Sequence, residues 1–160
     1  ANAIEDELSG EYDLIFANQI IEHLVYPDVL VDRLKSLLGR GGRLVVTTPN
    51  GDYLKNNLPS YNDLGDPRQW EHLQFSADGD GHFYAYLGDE LRDVFHHAGL
   101  LNIQVHFFET PFISGHMKVR YLHGILPSPV LRVADRLLLA IPGFSRKFSH
   151  QLLVMGCVQE

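Results

Sequence analysis

Two short apolar runs with an amphipathic stretch between them constrain this chain most. YDLIFA at 12–17 shows no polar alternation after Asp13, and RLVVTT at 43–48 repeats the pattern. Unalternated runs of this length predict strands buried on both faces of a parallel sheet. Between them, Pro27 suits the first turn of a helix. Leu30, Leu34, Leu37 and Leu38 then recur on one helical side, and Gly39, Gly41 and Gly42 predict its end. Pro49 stops the second run. Strand, helix and strand in this order predict a right-handed crossover between parallel neighbours, and hence an α/β fold.

The rest of the chain extends that pattern. Residues 50–86 are rich in Asn, Asp, Gly and aromatics without a clear period, which predicts a long loop insertion, a feature often tied to function. Leu91, Val94, Phe95 and Ala98 mark a second amphipathic helix stopped at Gly99. Ile103, Val105 and Phe107 alternate with Asn102, Gln104 and His106, as in a strand with one wetter face. Residues 111–150 read as a basic helical insertion, with a helix over 129–141 that starts at Ser128-Pro129 and ends at Pro142-Gly143. QLLVMGCV at 151–158 predicts a last buried strand. One domain over 1–160 accounts for all of these elements.

Composition narrows the function classes. A net charge of −7 argues against a nucleic-acid partner, which would need clustered Lys and Arg. Charge is uneven, however: residues 111–160 carry six Lys or Arg against only Asp135 and Glu160. That excess fits an anionic contact or a solvated basic face, and both readings stay open. Cys157 is the single cysteine, so no internal disulfide forms and a reducing compartment is the simpler expectation. No apolar run reaches the roughly 20 residues of a membrane span. ANAIEDELSG at the N-terminus is too acidic for a signal peptide, so a cytoplasmic protein is expected.

The succession YDLIFANQIIEHL, YPDVLVDRLKSLLGRGGRLVVTTPN and GHFYAYLGDELRDVFHHAGL closely resembles the C-terminal half of class I S-adenosylmethionine-dependent methyltransferases. It is most similar to the group that includes ubiquinone-biosynthesis O-methyltransferases, over most of residues 10–108. The resemblance implies a partial Rossmann-like methyltransferase sheet. From the family order 3-2-1-4-5-7-6, this chain would retain strands 4-5-7-6, with the last strand antiparallel and helices flanking. The glycine-rich loop and the acid that hold most of the cofactor in that family precede the matched region. GRGG at 39–42 leads into a strand, where a nucleotide loop follows one and opens a helix. The strand at 12–17 becomes an edge, and a flat apolar edge is a template for pairing. A homodimer through 12–17 is therefore expected.

The same resemblance implies site residues. The segment after the first retained strand borders the transferred methyl group, which makes His23 a catalytic base candidate with Glu22 beside it. The plainer reading is that Glu22 and His23 cap the following helix. Asn2, Ala3 and Ile4 fall where the family contacts adenine, and Asn18 and Gln19 fall at the cofactor-facing strand end. These five are the cofactor-binding candidates for S-adenosylmethionine, an incomplete pocket taken alone. Either His72 or His82 matches the family histidine ahead of the penultimate helix, and GHFYAY fits that place better. A divalent-ion site would follow from similarity to the ExxEH motif and later histidine of some small-RNA terminal 2′-O-methyltransferases, but here Gln19 replaces the first acid and leaves Glu22 and His23, with His72 a further candidate; no metal is expected, because hard cations prefer several oxygen ligands.

Trp70, Phe75, Phe83, Tyr84 and Tyr86 serve either as a lid or as core, with core preferred. The helix at 129–141 puts Arg132, Asp135 and Arg136 on one side and Val130, Val133, Ala134, Leu137 and Ile141 opposite. A peripheral membrane contact is one use of it. Packing the apolar stripe on its own domain is the commoner one. The function expected is methylation of a hydroxyl on a small-molecule or lipid- or glycan-linked acceptor. A non-catalytic remnant of the fold, serving self-association, is the alternative.

Overall fold

The computed structural model describes residues 9–73, 82, 84–115, 118–141 and 143–159. The first unit is β1 (Tyr12–Asn18), α1 (Pro27–Ser36) and β2 (Leu38–Pro49). Then come α2 (Gly88–His97) and β3 (Leu101–Phe108). Four helices follow: α3 (Pro111–Ser114), α4 (Arg120–His123), α5 (Ser128–Leu139) and α6 (Phe144–Phe148). β4 (Gln151–Cys157) closes the chain's sheet. Its order is β1-β2-β4-β3, with β1 parallel to β2 and β4 antiparallel to both β2 and β3. Counted in chain order, this is the neighbour arrangement expected of four retained methyltransferase strands.

Register explains which side chains make the core. Ala17, Val46, Val154 and Val105 lie across one row, and Ile15, Leu44 and Gly156 across the next. These point to the face that α1 and α2 cover, where Leu30, Val31, Leu34, Leu91 and Phe95 are buried. The intervening rows, Phe16 with Val45 and Met155, and Leu14 with Arg43 and Cys157, belong to the other face. There Leu14 is 59% and Phe16 58% exposed. The expectation that 12–17 is buried on both faces is thus corrected: β1 is an edge strand with one covered face. Its apolar run is the sequence of an interior strand in an exterior position.

Two further differences have clear causes. The glycines at 39–42 do not end the helix. α1 stops at Ser36, and β2 begins at Leu38, paired with Tyr12. The register then jumps from Tyr12–Leu38 to Leu14–Arg43, so Gly39–Gly42 make a bulge. A Cβ on Gly42 would sit 2.8 Å from the carbonyls of Gly39 and Tyr12, which only glycine avoids. In α5, the stripe expected to pack on its own domain faces outward instead. Val133 is 55% and Leu137 65% exposed, and Leu131 alone is buried. Asp135 turns inward, where its carboxylate accepts from the Thr110 amide at 2.9 Å.

Within 50–86 the described residues form short 3-10 turns at Asn62–Leu64, Pro67–Gln69 and Glu71–Leu73. The segment is anchored at both ends. Asn50 and Ser60 bridge to Tyr86 and Ala85, and the Gly51 amide donates to the Tyr86 carbonyl at 2.8 Å. Glu90 holds its middle, accepting from the amides of Asn62 (2.9 Å) and Leu87 (2.8 Å). The second contact caps α2. Tyr84 and Tyr86 are fully buried, as the core reading of the aromatics expects, and Trp70 is half-buried; Phe75 and Phe83 lie outside the described residues.

Candidate functional site

β1 and β2 run parallel, so their C-terminal ends open on the same side, the side where ligands bind in α/β sheets. The chain leaves β1 through Gln19, whose φ of +52° is uncommon for a residue with a Cβ. Its amide donates to the Thr47 carbonyl at 3.0 Å, and its side-chain amide to Gln151 Oε1 at 2.7 Å. Backbone held in this region tends to mark functional sites. Asn18 is exposed, and its Oδ1 accepts from the Thr47 hydroxyl at 2.6 Å. Asn2, Ala3 and Ile4 lie outside the described residues.

Ile21–His23 forms a single 3-10 turn directly after Gln19. Tyr84 holds it from below: its hydroxyl lies 2.8 Å from the Ile21 carbonyl and 2.7 Å from that of Leu24. Burial pushes the phenols of Tyr84 and Tyr86 up, so both stay protonated and able to donate. Ile21 points into the core, which turns the next two side chains toward the strand ends.

Glu22 is fully buried. Its Oε2 accepts from the Thr48 hydroxyl at 3.2 Å, while Oε1 has no hydrogen-bond partner among the described residues. Burial raises its carboxyl above the usual carboxylate range, countered in part by its own backbone, by His23 and by Thr48. Glu22 therefore does not cap α1, whose N-cap residue Tyr26 makes no side-chain cap bond. His23 is half-buried and meets His82 edge to face, with ring centroids 4.5 Å apart. The structure thus brings together Glu22, His23 and His82, and leaves His72 exposed in a separate turn. His96, His97 and His106 are also exposed.

A cleft of about 380 Å³ opens beside this group, lined by Gln19, Asn50, Tyr53, Lys55, His82 and His150 among others. TPN at 48–50 explains much of its shape. Thr48 holds Glu22, and buried Asn50 donates to the carbonyls of Arg146 (2.7 Å) and Ser149 (2.8 Å), which fixes the α6–β4 turn as the far wall. Asp52 pairs with Arg146 and Lys147 to anchor the same wall. The supporting roles of Thr48 and Tyr84 and the lining roles of Tyr53 and His150 escaped the sequence reading. Only the adjacency of polar residues to a strand end in TPN signalled any of them.

The family model described as "Methyltransferase domain" matches residues 1–105. The chain belongs to this methyltransferase family. No curated protein sequence matches it. Among solved structures, an S-adenosylmethionine-dependent methyltransferase from Archaeoglobus fulgidus is similar at TM-score 0.57 and 16% identity, over 99% of this chain and 66% of that one. The phosphoethanolamine N-methyltransferase 2 of Haemonchus contortus, solved with S-adenosyl-L-methionine, gives 0.57 and 12%, over 99% and 36%. A methyltransferase from Thermotoga maritima gives 0.52 and 14%, over 98% and 61%. These likenesses show a shared methyltransferase fold, of which the chain spans between about one third and two thirds of each protein's length. In the methyltransferase domain, no described helix is long and apolar enough to cross a membrane.

Proposed function

We propose that this domain serves S-adenosylmethionine-dependent methylation of a hydroxyl on a small-molecule or lipid- or glycan-linked acceptor, of the kind ubiquinone-biosynthesis O-methyltransferases handle. The observation that carries the reading is the Glu22–His23 turn just past the C-terminal end of β1, where His23 meets His82 and His82 lines the cleft. The residues there suit the cofactor: Asn18 offers an exposed carboxamide and Gln19 is held at a positive φ; Asn2, Ala3 and Ile4 join the proposal on the family resemblance alone. S-adenosylmethionine supplies an electrophilic methyl group on a sulfonium.

The chain's own residues do the rest. The cleft walls would hold the acceptor, and such positioning carries much of the acceleration of a methyl transfer. With the cofactor bound, His23 would take the proton of the acceptor hydroxyl. The buried Glu22 carboxyl beside it would stabilise the resulting imidazolium. The test is acceptor-dependent formation of S-adenosylhomocysteine across a panel of phenols, catechols and polyprenylated phenols. Turnover with none of them would sink the hydroxyl reading.

Two partner readings accompany it. The 160-residue chain is proposed to self-associate through β1, whose outer edge and apolar face are both open among the described residues. Light scattering after size exclusion is expected to give a dimer mass that Phe16→Lys reduces to monomer. A monomer at every concentration of the parent chain would contradict it. The outward stripe of α5, with Arg132 and Arg136 beside it, is proposed to rest on anionic membrane, where lipid-linked acceptors lie. Co-sedimentation with anionic liposomes at low salt checks this, with loss of binding expected for Leu137→Glu. No binding by the parent chain removes the idea.

A further inference from the structure

We propose that the cleft binds a phosphate monoester, so that the molecule methylated there carries a phosphate; the proposal rests on the methyl-transfer reading only in calling the occupant an acceptor. The chain has a net charge of −7, and most of such a surface repels anions. The cleft departs from that average. Among the described residues, those lining it include Lys55, His82 and His150 but no Asp or Glu. Two acids on the adjoining wall are already matched: Asp52 pairs with Arg146 and Lys147, and Glu109 Oε2 lies 4.0 Å from His150 Nδ1.

Lys55 is the cation that carries the site. It is exposed, and among the described residues its ammonium makes no hydrogen bond or ion pair. The turn that bears it is fixed by its own bonds. Asn56 Nδ2 donates to the carbonyls of Gly51 and Leu58, each at 3.0 Å, and its Oδ1 accepts from the Leu58 amide at 3.2 Å. An ammonium on a turn held this way is placed before any ligand arrives, which lowers the cost of binding. Asn57, exposed on the same turn, also lines the cleft and adds an amide donor. His150 supplies a third group. Gln151 Oε1 accepts from Gln19, so its amide nitrogen is the end that meets His150 Nδ1 at 3.1 Å. That bond puts the ring proton on Nε2 and makes the far side of the imidazole a donor.

The donor set favours phosphate over carboxylate. No arginine fork lines the cleft; its donors are single points on separate segments. A planar carboxylate is matched best by a fork, whereas the diverging oxygens of a phosphate take point donors from several directions, a lysine ammonium among them. Size then selects the source. At about 380 Å³ the cleft lies near the low end of ligand sites, which run about 300–1,000 Å³. That is room for one ring or a short polyol with its phosphate, not for a lipid tail, so the ester is a soluble one.

Isotopically labelled chain without cofactor is titrated with phenyl phosphate, benzoate and benzyl alcohol at fixed pH and ionic strength, and backbone-amide NMR follows binding. Phenyl phosphate is expected to give saturable shifts at Lys55–Leu58, His150 and Gln151, to bind about tenfold tighter than benzoate, and to leave benzyl alcohol silent there by comparison. Lys55→Gln is expected to weaken phenyl phosphate about tenfold, the low end for a hydrogen bond to a charged group, and Lys55→Glu to abolish its binding. Lys55 is exposed, so both variants keep the fold, which an unchanged Tm verifies. Lys118→Glu makes the same charge change outside the cleft lining and is expected to bind as the parent does. Vesicles carrying phosphatidic acid separate the lipid source: Lys55→Glu is expected to co-sediment with them as the parent does. The proposal is overturned if phenyl phosphate shifts none of these amides, if benzoate binds as tightly, if Lys55→Glu binds the ester like the parent, or if Lys55→Glu loses only the vesicles. Phosphate binding in a protein that methylates no hydroxyl would sink only the methyl-transfer reading. Turnover without cleft shifts would sink only this one.

Discussion

His23→Ala is expected to slow acceptor-dependent formation of S-adenosylhomocysteine by about 10²–10⁴-fold, the range for loss of a positioned acid–base group. The KM for the cofactor is expected to hold, because His23 faces the transferred proton and the cofactor candidates Asn18 and Gln19 lie earlier in the chain. The substitution leaves the fold intact: His23 is half-buried, and the turn beneath it hangs on backbone carbonyls and Tyr84. Steady-state kinetics on an active protein carrying this domain checks the result. Added imidazole is expected to restore part of the rate, because it can take the proton that His23 takes. A drop of less than tenfold, or one confined to cofactor KM, would remove His23 from the chemistry.

Tyr84→Ala is expected to lower the unfolding free energy by about 3–5 kcal/mol, the cost of emptying a buried aromatic site. Against a typical total of about 5–15 kcal/mol, that approaches loss of the fold. The ring packs between Tyr61 and Tyr86 at centroid distances of 5.2 and 5.1 Å, so nothing small can fill the gap. Tyr84→Phe isolates the hydroxyl. It leaves the carbonyls of Ile21 and Leu24 without that donor and is expected to cost about 1–3 kcal/mol. Urea denaturation measures both, and amide exchange over 21–25 is expected to quicken in the Phe variant. A Phe variant as stable as the parent would separate the turn from Tyr84. Because burial raises this phenol, its share of stability is intact below about pH 10, the unfolded value, and declines as pH rises toward the folded one.

Periodicity made α1, α2, β3 and β4 legible, since Leu91, Val94 and Phe95 or Ile103, Val105 and Phe107 repeat at spacings only one element type satisfies. It failed where a residue's meaning depends on what lies across from it. Gly39–Gly42 read as a helix stop, yet they form a bulge because the Tyr12 backbone passes too close for a Cβ. The α5 stripe was legible as a stripe, but its spacing says nothing about which way the helix turns. Asp135 bonding the Thr110 amide decides that. At the site, EH stood out as a charged pair after an apolar run. His82 and Thr48 join it only through the fold, across 59 and 25 positions from His23 that no spacing rule connects.

The account's central claim is that the C-terminal ends of β1 and β2, with the Glu22–His23 turn, form the cofactor-facing edge of a methyltransferase. Backbone-amide NMR spectra of the isotopically labelled chain, titrated with S-adenosylhomocysteine into the millimolar range, test it most directly, because they register even weak binding residue by residue. The expected result is saturable shifts concentrated at Asn18–His23 and around Asn50. Unchanged spectra, or shifts confined to the open sheet face or to α5, would contradict it.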